Sequence, residues 1–347
     1  MKLGMSINYV GDFHSTVEQV VEFEKAGLDV VWVAEAYSFD SVSQMGYLAA
    51  KTNTIEIGAG ILNVYSRTAA CIGQTAAGLD FVSDGRFVMG LGASGPQVIE
   101  GFHGVPYEKP MPRIRDYINV TRMTLRREKL VYEGSTVTLP LPKDQGTGLG
   151  IPLKLINHPV RREVPIFWAS LMGLSVKNTA RYADGWLPTL FDPTKYRSVW
   201  GDDIDAGLEK RSDELGTLQI AAGGLVGIDD SLTGDAQAEV LDKTRAHTAL
   251  YVGGMGARDK NFYNTVFQKY GYEAEAKQIQ DLYLDGKKDE AAAAIPSEFM
   301  ENSNLVGPDG YVKEQLEKFA EAGVTHLTIQ PVGDPIKTIE KLKTLLP

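Results

Sequence analysis

The chain has 347 residues, of which 43% are hydrophobic and 23% charged, and it carries a formal net charge of −10 at pH 7. These proportions are ordinary for a folded globular protein, and the length suits either two average domains or one large α/β barrel. The acidic balance argues against binding to the phosphate backbone of nucleic acids and against attraction to an anionic membrane surface.

Short β-rich runs alternate with longer helical patterns along most of the chain. The run DVVWVA at residues 29–34 is continuously apolar, which is typical of a strand buried on both faces of a parallel sheet. Residues 16–26 instead repeat apolar side chains at helical spacing and stop before Gly27. The same reasoning predicts strands at residues 3–9, 29–34, 54–60, 86–92, 164–170, 185–190, 218–226 and 323–330, and helices at 16–26, 40–51, 68–82, 113–129, before 183 and at 335–345.

About eight strand–helix units predict an α/β fold, a single (β/α)8 TIM barrel with insertions that spans residues 1–347. An open, doubly wound sheet is the alternative, but its Gly-rich phosphate turn is missing after the first strand. Two segments interrupt the alternation. Residues 130–165, rich in Gly and Pro, are expected to form an excursion with a short hairpin, and residues 251–308 a helical insertion.

Several kinds of site are not supported by the sequence. The single cysteine, Cys71, cannot form an internal disulfide and is predicted to be a packing thiol in an apolar helix. The five histidines show no metal-ligand spacing, and no nucleophile elbow is present, so no metal site is expected. Because the chain begins directly with a strand pattern and contains no long uncharged apolar run, a cytoplasmic protein is predicted.

Three strand ends are unusually rich in small residues. They are GAGILNVYSR at residues 58–67, GLGASGP at 90–96 and WASLMGLS at 168–175. On a barrel all three lie at the same end, where small residues let a planar or phosphorylated ligand approach the backbone. The helix that begins after Ser170 offers free N–H groups to a phosphate. Together they predict a cofactor site.

The strings IGAGILNVYSRT, SDGRFVMGLGASGPQVIEGFHGVPYEKP and ADGWLPTLF resemble the luciferase-like oxidoreductases, and most of all their branch that uses the deazaflavin coenzyme F420. The resemblance covers residues 1 to about 193 and 308 to the end. The combination GASGPQVIEGFHG is typical of the F420-dependent branch. The elements GRFVMGLG and ADGW are shared with relatives that use FMN, so they indicate the superfamily better than the cofactor.

The resemblance implies a ring-binding bulge at the end of the third strand, with a cis peptide bond between Gly60 and Ile61. A non-prolyl cis bond costs about 2.5–4 kcal/mol and persists only where its surroundings enforce it. Relatives have Gly-Pro where this chain has Met172 and Gly173, which affects the geometry of the phosphate turn. The implied cofactor-binding residues are Glu35, Gly60, Ile61, Leu62, Gly92, Ala93, Ser94, Ser170, Leu171, Met172, Gly173 and Leu174.

Proton transfer is harder to assign. Ala36 and Gly95 stand where related sugar-phosphate dehydrogenases have a histidine and a glutamate, so that reaction is not implied. Glu35 and His103 are the catalytic candidates. Glu35 follows an apolar strand, where partial burial would raise its pKa. His103 lies in a glycine-flanked loop, and a loop histidine titrates near neutral pH, as acid–base work requires.

The resemblance therefore implies an F420-dependent oxidoreductase that transfers a hydride between C5 of the deazaflavin and a small organic substrate. One alternative is an FMNH2-dependent monooxygenase of the same fold. Another is a barrel that binds a cofactor without catalysis, because the acid–base pair of the dehydrogenases is missing. The resemblance also implies a homodimer. Neither the natural substrate nor the direction of transfer follows from the sequence.

Overall fold

Parallel strands close into a barrel in the computed structural model, which describes residues 1–8, 11–256 and 258–347. The strands are β1 (Lys2–Ser6), β2 (Val30–Val33), β3 (Glu56–Ala59), β4 (Leu62–Asn63), β5 (Phe87–Gly92), β6 (Tyr132–Glu133), β7 (Thr138–Leu139), β8 (Ile166–Ala169), β9 (Gly185–Leu187), β10 (Gln219–Ala222), β11 (Leu225–Ile228), β12 (Leu305–Gly307), β13 (His326–Thr328) and β14 (Gln330–Pro331). Hydrogen bonds join β1, β2, β3, β5, β8, β9, β10 and β13 into a closed ring. The predicted (β/α)8 barrel is confirmed.

Helices follow the strands and form the outer layer of the barrel. They are α1 (Phe13–Lys25), α2 (Ser41–Lys51), α3 (Ala69–Val82), α4 (Pro96–Gly101), α5 (Pro110–Leu125), α6 (Gly173–Tyr182), α7 (Tyr196–Leu208), α8 (Asp235–Asp242), α9 (Arg245–Ala249), α10 (Phe262–Lys269), α11 (Glu273–Leu284), α12 (Lys288–Ala293), α13 (Ser297–Asn302), α14 (Asp309–Glu321) and α15 (Pro335–Leu345). No helix among the described residues is both long and apolar enough to cross a membrane.

Aspartates define several helix starts. The carboxylate of Asp12 accepts the N–H of His14 at the start of α1, and Asp40 and Asp334 accept N–H groups in the first turns of α2 and α15. Each satisfies donors that have no partner inside the helix. Gly27 follows α1 with a φ of +97°, a conformation that favours glycine.

The two faces of each barrel strand enter different cores. In β2, Val30 and Trp32 point into the barrel, where they pack with Phe167, whereas Val31 and Val33 pack outward against the helices. This double burial explains why the strand is apolar at every position. It also confirms the prediction of a parallel strand at residues 29–34.

The seventh strand differs from its prediction. Residues 218–226 form two short strands, β10 and β11, because Gly223 and Gly224 interrupt the ladder. A Cβ at Gly223 would lie 2.2 Å from the carbonyl oxygen of Thr328, so only glycine permits this approach. The first strand ends at Ser6, and Tyr9, the last residue of its predicted range, lies outside the described residues.

The two irregular segments have different structures. Between α5 and β8 the chain forms an antiparallel hairpin of β6 and β7, held by Asp116, whose carboxylate accepts from Tyr132 and Thr136. After β11 the chain forms helices α8–α13. These begin at Asp235, earlier than the predicted boundary of 251, and the predicted end at 308 includes strand β12, which pairs with β11.

Candidate active site

The carboxyl ends of the parallel strands all meet at one mouth of the barrel, where active sites of this fold lie. Glu35 follows β2, the residues 60–61 separate β3 from β4, Ser94 follows β5, and residues 170–174 follow β8. The predicted site residues are therefore brought to the same end of the barrel.

Glu35 is the centre of an ion-pair network at this mouth. Arg67 donates to both of its carboxylate oxygens, each at 2.7 Å, and also to Asp40 at 2.7 Å. The N–H and hydroxyl of Ser41 donate to the same carboxylate. Arg67 thus joins both ends of the loop between β2 and α2 to the loop after β4.

The pKa of Glu35 is lowered, not raised as the sequence predicts. Burial alone would raise the pKa of this carboxyl, but the hydrogen bonds and charge of Arg67 and the two bonds from Ser41 outweigh it. Glu35 therefore stays ionised at neutral pH and already has its oxygens occupied. This arrangement suits an anchor better than a proton donor.

The end of the third strand is a bulge, as predicted, but its peptide bond is trans. The cis bond of the described residues is Leu139–Pro140, and Gly60–Ile61 is not cis, so that prediction is wrong. The strand turns instead because the N–H of Gly60 donates to Val33 at 2.6 Å, and a Cβ at residue 60 would lie 2.9 Å from the same carbonyl oxygen. The trans form avoids the cost of a non-prolyl cis bond.

The two residues after this glycine differ in exposure. Ile61 is half-buried, whereas Leu62 is fully buried in the core and pairs with Leu91. Only Ile61 can offer its side chain to a ligand, which corrects the prediction for Leu62. Gly92 makes this possible, because a Cβ there would lie 2.5 Å from Cγ2 of Ile61.

The loop after β5 is stabilised by an aromatic cluster. Ser94 has a positive φ of 56°, and its carbonyl oxygen accepts the hydroxyl of Tyr107 at 3.2 Å, while Ala93 is half-buried beside it. The ring of Tyr107 stacks on Tyr65 with centroids 5.3 Å apart. Burial raises the pKa of Tyr107 to about 12, so this hydroxyl stays protonated and holds the loop.

Arg113 covers the other side of Tyr65. Its guanidinium lies 4.5 Å from the ring centroid, a cation–π contact, while the hydroxyl of Tyr65 donates to the carbonyl of Glu108. Burial raises the pKa of Tyr65 despite this nearby positive charge. Tyr65 is therefore a neutral structural hydroxyl.

Two tryptophans donate hydrogen bonds to backbone carbonyl groups of the turn after β8. The indole N–H of Trp186 donates to Ser170 at 2.9 Å, and that of Trp200 donates to Leu171 at 2.8 Å. The hydroxyl of Ser170 is buried and bonded to Thr179 at 2.7 Å. The Ser170 hydroxyl thus already has a hydrogen-bond partner within the protein, so only the backbone of the turn is free to bind a ligand.

The N–H groups of this turn begin α6. Ser175 donates its hydroxyl and its N–H to the carbonyl of Met172, which closes the turn. Gly173 and Leu174 supply N–H groups of the first helical turn, which have no intrahelical acceptor. A Cβ at Gly173 would meet only Asp203, at 3.8 Å, and Leu174 is exposed. The turn is therefore open around Gly173 and Leu174.

His103 lies in the loop after α4, half-buried. Its ring contacts Phe102 edge-on with centroids 5.2 Å apart, and no described residue forms a hydrogen bond with the imidazole. The imidazole nitrogens therefore remain free of hydrogen bonds within the described residues.

The helices that follow β11 dock on the loop after β9. Buried Asp192 accepts from the side-chain amide of Asn302 at 3.1 Å, and its N–H bonds to the hydroxyl of Tyr270. Lys195 forms an ion pair with Glu298 at 2.9 Å. These contacts fix the inserted helices beside the mouth.

Comparison with known proteins shows to which family the chain belongs. The model of the luciferase-like monooxygenase family matches residues 1–326. A putative coenzyme F420-dependent oxidoreductase of Mycobacterium tuberculosis is 34% identical over 336 residues, covering 95% of this chain and 94% of that protein. The chain belongs to the luciferase-like monooxygenase family.

Solved structures agree with this family in fold. The coenzyme F420-dependent tetrahydromethanopterin reductase from Methanopyrus kandleri superposes with a TM-score of 0.79 at 20% identity, covering 99% of this chain and 98% of that one. An F420-dependent secondary alcohol dehydrogenase, in complex with an F420–acetone adduct, gives 0.71 at 18% identity, covering 100% and 98%. At these identities the likeness shows the barrel fold alone.

The sequence does not indicate two residues that hold the loops of the candidate site together. Arg67 ends the string NVYSR, but nothing in its neighbourhood indicates that it pairs with a carboxylate 32 residues earlier. Tyr107 lies in the string GVPYEKP, and its contact with Ser94 depends on how the loop closes. Among the described residues, no three histidine, cysteine or acidic side chains come together as metal ligands.

Proposed function

We propose that the chain is a coenzyme F420-dependent oxidoreductase that transfers a hydride between C5 of the deazaflavin and a small organic substrate. The observation that carries the proposal is the open turn at residues 170–174, whose donors lack intrahelical acceptors, at the same mouth as the bulge at residues 60–61. The identity of 34% with a relative named for this coenzyme supports the choice of cofactor.

The residues present suit such a cofactor. Backbone N–H groups at the start of α6 favour the cofactor's phosphate, and the first turn of this helix itself holds no acidic side chain, although Asp203 of α7 places one carboxylate oxygen near Gly173. This backbone site explains how a chain with a net charge of −10 accommodates an anion. Ile61 offers a half-buried apolar surface to the ring, beside the small residues Gly60 and Gly92.

When bound, F420 supplies the hydride chemistry. The chain's own residues orient the ring and exclude water. Ile61, which lies close to Gly92, would support the ring, and the pair of Glu35 and Arg67 ties the loop after β2 to the loop after β4. We assign Glu35 an orienting role, because its ionised carboxylate is already bonded to Arg67 and Ser41.

His103 is our candidate for proton transfer, since its imidazole has no hydrogen bond within the described residues. Replacing it by glutamine removes the titratable group but keeps a similar volume. We expect His103→Gln to lower turnover by about 10²-fold with unchanged affinity for F420. Unchanged turnover would assign proton transfer to another group, and a matching loss of F420 affinity would assign His103 to binding.

We further propose that the enzyme acts in the cytoplasm as a homodimer, on small molecules rather than on nucleic acid. The net charge of −10 supports the exclusion of nucleic acid, because phosphate backbones are repelled. The homodimer is supported by apolar side chains on the outside of the barrel, among them Phe81 and Ile156.

A titration of the purified protein with F420 and, separately, with FMN tests the proposal, with cofactor fluorescence as the signal. Micromolar binding of F420 with at least about tenfold weaker binding of FMN is expected. A preference for FMN would support the FMNH2-dependent monooxygenase, which the name of the family favours. F420 binding without turnover of any electron acceptor would leave a cofactor-binding barrel, and no binding of either cofactor would overturn the site.

A further inference from the structure

Arg113 is a half-buried arginine that lacks the partners such a side chain usually has. It lies in the first turn of α5, and no carboxylate among the described residues forms an ion pair with it. Its Nε is buried and has no acceptor in the described part of the chain. Buried donors are normally hydrogen-bonded, because an unsatisfied donor lowers stability. The structure thus leaves Arg113 room for a partner from outside the chain.

Other half-buried arginines are bonded much more completely. Arg86 and Arg211 donate hydrogen bonds through all three guanidinium nitrogens, mostly to backbone carbonyl groups. Arg67 is bonded to two carboxylates. The guanidinium of Arg113 instead rests on the ring of Tyr65, and its side chain stays partly exposed. Its Nη groups, which are not enclosed as Nε is, can therefore meet a ligand from solvent.

Two buried tyrosines surround the guanidinium of Arg113. It lies 4.5 Å from the ring centroid of Tyr65, and Tyr117 lies near it as well. Burial raises the pKa of both tyrosines, and the nearby Arg113 opposes that rise. Their hydroxyls donate to the carbonyl oxygens of Glu108 and Arg67. Both tyrosines are therefore neutral at physiological pH, and neither supplies a negative charge that would match Arg113.

The position of Arg113 in its helix also favours an anion. The start of a helix carries a partial positive charge, which makes a cation there unfavourable and an anion favourable. The first turn of α5 contains no acidic residue. Glu108 and Lys109, just before the helix, are both exposed and have opposite charges. The charge of Arg113 therefore remains unmatched, in a chain whose net charge is −10.

Arg113 lies beside the loops of the candidate site. In a barrel the helices run back from the mouth, so the first turn of α5 lies at the mouth. Tyr65, on which Arg113 rests, is two residues before Arg67 in the loop after β4. The ring of Tyr65 stacks on Tyr107, which donates to the carbonyl of Ser94 after β5. A group bound to Arg113 would therefore lie next to both loops.

We propose that Arg113 binds a carboxylate group of the substrate, so that the enzyme acts on small organic acids. This inference rests on the proposed function, because it names the class of substrate for the same site. A guanidinium is planar and can donate two parallel hydrogen bonds to a carboxylate, which also fixes the orientation of the substrate. One arginine between two tyrosine rings matches a planar group with a single charge better than a phosphate dianion.

Benzoate and benzamide are a matched pair of probes, because they share one shape and differ in charge. In NMR titrations of the isotope-labelled full chain at neutral pH, we expect benzoate to shift the Nε–H resonance of Arg113 and to bind at least about tenfold more tightly than benzamide. Arg113→Gln should remove this preference. Arg113→Lys should keep part of it, since lysine retains the charge but not the planar fork.

Arg115→Gln is the matched control for these variants. Arg115 lies two residues further along α5 and already pairs with Asp116 at 3.5 Å and with the hydroxyl of Ser135. The preference for benzoate should therefore remain in Arg115→Gln. Equal affinity for benzoate and benzamide in the wild type, or a preference that survives in Arg113→Gln, would overturn the proposal.

Two further titrations separate a substrate carboxylate from other anions. Inorganic phosphate that binds as tightly as benzoate and depends on Arg113 would contradict the assignment to a carboxylate. The affinity for F420 should be the same in the wild type and in Arg113→Gln, and a loss in the variant would assign Arg113 to the cofactor's phosphate instead. A wild type that binds benzoate through Arg113 but does not bind F420 would reject the proposed function while supporting the carboxylate site.

Discussion

Inside the barrel, glycines make room for the protein's own rings, whereas Gly173 at the mouth borders space that no side chain fills. A Cβ at Gly58 would lie 2.3 Å from the ring of Trp32, and one at Gly185 would lie 2.3 Å from the ring of Phe167. At the mouth, a Cβ at Gly173 would meet only one atom within 4 Å. The same residue type thus marks tight packing inside the barrel and open space at the start of α6.

The charges of the two regions differ in the same way. The interior holds His326, buried against Phe167 and kept neutral. The mouth instead holds an ionised carboxylate, Glu35, fully paired with Arg67. The interior tolerates the buried imidazole of His326 because it is neutral. The mouth tolerates the buried carboxylate of Glu35 because the charge of Arg67 matches it. This contrast predicts different responses to mutation and pH.

The largest effect is expected at the mouth. Arg67→Ala leaves Glu35 buried without its partner, and we expect a loss of about 3–5 kcal/mol in the free energy of unfolding. Urea denaturation measures it. Arg197→Ala is the control, because Arg197 pairs with Asp205 on the surface with both side chains more than half exposed, and should cost at most about 1 kcal/mol. Equal losses in the two variants would show that the mouth does not depend on this pair.

The pH dependence tests the interior. Burial, with a smaller contribution from Lys2, lowers the pKa of His326 to about 4 from the ordinary 6.5. The unfolded chain therefore takes up the proton first, so this residue's contribution is complete above pH 6.5 and is lost as the pH falls to about 4. Over that range the wild type should lose about 3 kcal/mol that His326→Gln does not lose. His14→Gln, at an exposed histidine, should behave as the wild type.

The smallest effects compare the glycines themselves. Gly185→Ala should cost about 2 kcal/mol, because the new methyl group overlaps the ring of Phe167 in a closed space. Gly173→Ala should cost about 1 kcal/mol, since φ there is +26° but the space is open. Thermal unfolding of both variants measures the difference. The opposite order would contradict the distinction between interior and mouth.

The sequence predicts most strands and helices of the barrel well, because each element depends on the pattern of neighbouring residues. The apolar run at residues 29–34 and the helical spacing of apolar residues at 16–26 specify their elements through neighbouring residues. The short helix α4 and the long helix α7 lack such patterns and are not predicted. The break of the seventh strand depends on a carbonyl of the eighth, far along the chain.

The sequence predicts where the candidate site residues lie, but not their pKa values or their burial. Glu35, Ile61 and the turn at 170–174 lie at the mouth as expected. The pKa of Glu35 depends on Arg67, 32 residues away, and the burial of Leu62 depends on its pairing with β5. Such properties follow from contacts between distant segments, so local sequence carries little signal for them.

A phosphate site at the start of α6 is tested most directly by the affinity for F420 of Leu174→Glu, measured beside its neutral control Leu174→Gln. Leu174 is exposed in the first turn of α6, so a carboxylate there should leave the fold intact and favour the helix N-terminus. We expect Leu174→Glu to bind F420 at least about tenfold more weakly than Leu174→Gln, through repulsion of the cofactor's phosphate. Equal affinity in the two variants would contradict a phosphate site at this turn.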